Sequence, residues 1–358
     1  MATVIGEQIG RAYINLARLP SVLAALANRP LSSSPSSPTI SSVCRTFREV
    51  PVVFHEKYIT SGYRPPGQPW RFYALSLFAR HNEIANVWTH LLGTLLVLAR
   101  VGKIPELAAT RADIASWPFF LLALSGAAYM ALSTVAHLFH SRSELAHYGF
   151  FFLDYVGVAL YQYGSAVGHY FYCAGPGGFA FLRDDVYLPT TWMLAWLSCA
   201  GCCFANLCFR IPHSLGRKLF KVLPCAMAYV VVISPIAYRL VTSSPNHDPA
   251  FLFHVAQVAF FLLSAVFFTF PLPEQLNPGR FNVLGHSHQI FHVLLSLCTI
   301  TQIEAVHLDF LKRHNGRNHS DVEVRWALMS FGALAGLSVA TAALCTLQMR
   351  KQLANKDK

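Results

Sequence analysis

Eight apolar runs, each close to the ~20 residues a helix needs to cross a bilayer, fill the chain beyond residue 83. They fall at about 84–101, 117–138, 149–170, 189–208, 221–241, 251–270, 284–304 and 326–347. A backbone inside lipid must satisfy its own hydrogen bonds, so runs of this length predict an all-α polytopic membrane bundle. The expected architecture is a seven-helix core plus an eighth C-terminal transmembrane helix. Composition agrees, at 54% hydrophobic and 13% charged residues, where a soluble domain carries about 25% charged. A water-soluble enzyme is excluded on that basis.

Four segments are expected. Residues 1–44 form a basic arm, with Arg11, Arg18 and Arg29 beside Ile14, Leu16, Leu19 and Leu23 at helical spacing, followed by the Ser/Pro-rich LSSSPSSPTISS. No continuous apolar stretch there suits a cleaved signal peptide; a surface-lying amphipathic helix or a transit peptide fits the composition. Residues 45–82 form an aromatic, turn-rich juxtamembrane segment, 83–348 the eight-helix domain, and 349–358 a basic tail. The net charge of +11 sits between apolar blocks and not in one patch, which points to lipid headgroups and away from nucleic acid.

With eight spans both termini share a side, which holds 19 Lys or Arg against 9 on the other; counted from Arg64, the figures are 13 and 9. The excess predicts cytoplasmic termini. The Asn318-His319-Ser320 sequon then falls in an extracellular loop. The nine cysteines show no extracellular framework, and Cys199, Cys202 and Cys203 are expected to pack as small apolar groups. Gly164 with Gly168, and Gly332 with Gly336, suggest close helix packing. Pro224 and Pro235 lie within the fifth span, where neighbours must supply the lost backbone bonds.

Polar residues at membrane depth are costly and mark function. The first span opens with HNEIANVWTH, placing Glu83, Asn86 and His90 on one face; a capping and solvated role is expected for them. The second closes with STVAH, the third carries Asp154 about one turn inside its start, and the seventh opens with GHSHQIFH. In an alternating bundle all of these groups lie near the leaflet that faces the termini. His288 and His292, four residues apart on a helix, can reach one zinc ion, and His137 is the natural third ligand. Asp154 is suited to an acid–base or water-orienting role and Ser133, one turn before His137, to a hydrogen bond beside it. His169 and His307 near the opposite interface, and His140 and His147 in a short loop, are expected to be solvated.

The motifs NEIANVWTHLLG, STVAHLFHSRSELAHYGFFFLDYVGVALYQYGSA and GHSHQIFH, together with SGYRPPGQPWRFY, WLSCAGCC and ISPIAYR, resemble the progestin and adiponectin receptor family, within it the membrane progestin receptors of the alpha or beta type. The resemblance implies a plasma-membrane receptor that binds progestin steroids from the surrounding lipid, couples to heterotrimeric G proteins and acts in oocyte maturation. It also implies zinc at His137, His288 and His292, with Ser133 and Asp154 beside the metal, and an intracellular N-terminus. Relatives in the wider superfamily resemble zinc-dependent lipid amidases, so a ceramidase-like hydrolase using Asp154 and Ser133 is the alternative. Gln162 and Tyr161 are candidate donors to a steroid carbonyl.

Overall fold

The structure, a computed structural model, describes residues 43–104, 113–173, 186–209, 214–243, 245–313 and 320–356. The arm before residue 43 and Asn318 of the sequon lie outside them. Two short strands, β1 (Arg45–Thr46) and β2 (Ser61–Tyr63), and a short helix α1 (Trp70–Leu75) precede the bundle. Eight long helices follow: α2 (Ile84–Gly102), α3 (Trp117–Phe139), α4 (Glu144–Gly168), α5 (Tyr187–Cys208), α6 (Leu215–Thr242), α7 (Phe251–Thr269), α8 (Ser287–Arg313) and α9 (Asp321–Lys356). All but α4 are long and apolar enough to cross a membrane. α4 has the length, with 25 residues or about 37 Å, and packs among α3, α5 and α9, which shelters its polar side chains. The fold is thus an all-α polytopic membrane bundle.

Several helices outrun the apolar stretches that announce them. α4 starts at Glu144 because the Ser143 hydroxyl accepts from the Ala146 amide at 3.1 Å, which caps the helix before the apolar run begins. Asp154 therefore lies nearly three turns inside α4, not one. α9 continues as helix through Lys356, so it is 36 residues long, about 54 Å, and overshoots a bilayer core.

In the order α7, α8, α2, α3, α4, α5, α6 the helices form a ring in which each packs on the next. α9 lies outside the ring against α4 and α5, which accounts for its largely exposed surface. The ring is tightest between α3 and α4. A Cβ on Gly157 would sit 2.8 Å from the Tyr129 Cα, and one on Gly164 would run into Ser125. Gly332 and Gly336 have nothing within 4 Å, so the second glycine pair serves no packing within this chain. Pro235 removes a donor from α6; the Val231 carbonyl accepts from the Ser234 hydroxyl at 2.8 Å, and the Val232 carbonyl takes His169 Nδ1 at 2.9 Å and the Tyr187 hydroxyl at 3.0 Å. Leu95, Leu98, Leu262 and Leu344 point outward, as lipid requires.

The juxtamembrane segment folds over the end of the bundle that carries the termini. β1 pairs antiparallel with β2 above a small core of Val50, Phe54, Ile59 and Tyr63. Gly62, at φ +90°, is the extra residue where the register of β1 and β2 shifts, and its carbonyl accepts from the Asn82 amide at 2.9 Å, just before α2.

Candidate metal centre

His137 lies in the last turn of α3, and His288 and His292 in the first two turns of α8, so antiparallel packing brings them to one depth. One ligand nitrogen from each falls within 4.8 Å of the others. His137 and His292 are buried, and His288 is half-buried. The Nε2 atoms of His137 and His288 face each other at 3.4 Å. His137 Nδ1 is held 2.7 Å from Glu83 Oε2, and His292 Nδ1 is 3.3 Å from the Asn86 carbonyl. Both partners are acceptors, so each ring carries its proton on Nδ1 and leaves Nε2 as a ligand atom. Three imidazoles gathered at one depth, two of them paired across the ring with a protein acceptor, are a donor set that would hold a zinc ion.

The first-span cluster does more than cap a helix. Glu83 makes no side-chain cap bond; its carboxylate accepts from Asn86 Nδ2 at 2.7 Å and lies 3.5 Å from His140 Nε2 as well as against His137. His90 stacks on His292 with ring centres 3.7 Å apart and an interplanar angle of 3°. Behind them, the buried Arg64 guanidinium donates to the carbonyls of His137 and Leu138, both at 2.6 Å, and to Ser76 and Ser141 at 2.9 and 3.1 Å. It closes the C-terminus of α3, whose last carbonyls have no partner within the helix. Nothing in SGYRPPGQPW announced this contact. His81 receives the Glu83 amide on Nδ1 and donates from Nε2 to the Ser76 carbonyl, each at 3.1 Å. Burial, with the Arg64 charge nearby, holds His81 well below the usual imidazole range.

Ser133, one turn before His137 on α3, faces the Asp154 carboxyl of α4, and Asp154 lies near His137. Asp154, Tyr155, Tyr161, Lys221 and Cys225 are half-buried, and Glu56, in the juxtamembrane segment, is exposed. Lys221 donates to the Tyr155 hydroxyl at 2.8 Å.

The four histidines expected in solvent are buried. His140 and His147 share a contact at 3.1 Å under the juxtamembrane layer, with Phe54 packed on both rings. His169 bonds to the Val232 carbonyl and to Gln302, and His307 sits against Arg100. Solvation failed as an expectation because these residues lie at helix ends that other elements cover. A second grouping, Cys173, His254 and Asp309, lies at the opposite end of the bundle. Arg239 donates to both Asp309 oxygens, at 2.6 and 2.7 Å, and to both of Asp248. A guanidinium in that position suits an ion-pair network and repels a cation. Glu304 likewise is bound by Arg100, which ties α2 to α8. The nine cysteines, all among the described residues, form no disulfide, and Cys202 and Cys203 pack in the core.

The signature described as Haemolysin-III related matches residues 78–303, a span that contains the whole histidine centre. Membrane progestin receptor beta of Mus musculus is 44% identical over 314 residues, covering 86% of this chain and 88% of that protein. Membrane progestin receptor alpha-B of Danio rerio is 45% identical over 323 residues, 89% of each, and membrane progestin receptor alpha of Homo sapiens is 41% identical over 345 residues, 95% and 97%. The matches run through the elements that build the site and nearly end to end in both chains, and by them this chain belongs to the haemolysin-III related proteins, in the branch formed by the progestin and adiponectin receptor family.

Proposed function

We propose that this chain is a multi-pass membrane receptor for progestin steroids. The observation that carries the reading is the 41–45% identity to membrane progestin receptors over most of both chains. Plasma-membrane location, cytoplasmic termini and coupling to a heterotrimeric G protein belong to the same proposal. Zinc held by His137, His288 and His292 would clamp α3 to α8; the chemistry it supplies when bound is that of a Lewis acid. Saturable binding of a labelled progestin to membranes from cells expressing the chain is expected. Its absence in well-expressed, correctly inserted protein would sink the proposal.

One observation favours a second activity at the same centre: Ser133 and Asp154 lie together, and Asp154 is near His137, one of the three histidines. In a lipid amidase Asp154 would hold or move the proton at its carboxyl oxygen, and Ser133 would donate to a developing oxyanion. Release of fatty acid from a ceramide by purified protein, lost in Asp154→Ala with bound zinc retained, would establish that activity.

A further inference from the structure

His90 of α2 reaches the histidine centre without belonging to the three residues whose ligand nitrogens converge. Its side chain is 2% exposed, and neither ring nitrogen has a hydrogen-bond partner among the described residues. A buried polar ring left unpaired costs free energy, a cost that leucine or phenylalanine in its place would not carry. With no hydrogen bond to make, the imidazole meets its neighbours through its face and edge.

Those neighbours are two aromatic rings from two other helices. One is His292 of α8, stacked flat on His90; the other is Tyr129 of α3, set edge to face with centres 5.6 Å apart and planes at 85°. Tyr129 is itself pinned, its hydroxyl 2.8 Å from Thr299 Oγ1 of α8. α2 touches His292 at two more points: the Asn86 carbonyl lies 3.3 Å and the Thr89 hydroxyl 3.5 Å from Nδ1. Asn86, Thr89 and His90 share one face of α2, at spacings of three and four residues. A hydrogen bond at Nδ1 fixes one point of the His292 ring and leaves it free to tilt about that bond. The stack removes the tilt.

The closeness of the stack carries the argument further. Its ring centres are 3.7 Å apart at an interplanar angle of 3°, whereas aromatic pairs usually settle with centres about 4.5–7 Å apart, because two faces of like negative potential repel. Full overlap turns favourable when one ring is poor in electrons. An imidazole whose Nε2 is bound to a Lewis acid is such a ring, and the face of a second imidazole attracts it as an aromatic face attracts a cation.

We propose that His90 is a positioning residue that recognises the metal-bound form of His292: its face holds the His292 ring in plane and stabilises that ring once Nε2 is coordinated. The inference rests on the zinc reading of His137, His288 and His292. It assigns α2 a share in the centre although α2 supplies no ligand.

The test is a chelator competition for zinc on purified full-length protein, with melting temperatures measured in the zinc-free and zinc-loaded forms. His90→Leu removes the ring and is expected to weaken zinc binding about tenfold, the value of one aromatic pair, while the zinc-free form melts as the wild type does. His90→Phe restores an aromatic face and should recover most of the affinity. With cobalt(II) in place of zinc, the visible absorption band, which follows ligand geometry, should change in the leucine variant and return in the phenylalanine variant. His90→Gln, of similar size and without a ring, replaces the leucine variant if that one does not fold, with the same expectations. Wild-type zinc affinity in the ringless variant would overturn the proposal and leave the zinc reading intact. An equal loss in His90→Phe, or a fall in zinc-free melting temperature matching the fall in the loaded form, would overturn it too, by showing a structural role. A wild type that binds no zinc would remove the zinc reading and this role with it.

Discussion

Glu83 has three partners, His137, Asn86 and His140, and among them His137 is the one that bears on the metal proposal. Its carboxylate fixes which nitrogen of His137 is free. Glu83→Ala is expected to weaken zinc binding 10- to 100-fold in a chelator competition on purified protein, and Glu83→Gln, which keeps an acceptor at the same place, to recover part of it. Unchanged zinc affinity in Glu83→Ala would show that the contact does not orient a ligand. At this scale the sequence was legible in part. His137, His288, His292, Ser133 and Asp154 were marked by being polar where lipid is expected. Arg64 was not, because an arginine in a polar segment is ordinary, and only its neighbours make it unusual.

Helices bear most of the site's geometry. α3 ends where the site begins, and Arg64 replaces the amide donors its last carbonyls lack. Arg64→Leu leaves those buried acceptors unpaired and should cost about 3 kcal/mol of stability, read as a lowered melting temperature in detergent, with Arg64→Lys recovering part of it. No change in the leucine variant would show that water replaces the guanidinium at little cost. Hydropathy located every long helix but placed its ends poorly. α4 begins at a Ser143 cap upstream of the apolar run, and α9 runs on past it, because capping and continued backbone hydrogen bonding set helix ends while hydropathy reports only the part in lipid. Of two similar glycine pairs, Gly164 and Gly168 meet α3 and Gly332 and Gly336 meet nothing, a distinction that requires knowing which face is turned inward.

The described residues form a ring of seven helices with an eighth outside it and a folded layer across one end. If the basic residues set its orientation, tags at either terminus will be reached by antibody only after cells are permeabilised; labelling of intact cells would reverse the assignment and place the histidine centre near the outer leaflet. What the sequence by itself determined is the class and the depth: apolar runs of membrane length allow only helices, and alternating spans put Glu83, His137, Asp154, His288 and His292 near one leaflet whatever the packing. What only the tertiary structure decided is which groups face each other around the ring. Neighbour order, the Glu83 contact, and the ion pairs that claim Asp309 and Glu304 all depend on helix rotation and on contacts between residues up to about 200 positions apart. In a span where nearly every residue is apolar, periodicity gives little to orient a helix, so that information resides in side-chain shape and appears only once the helices pack.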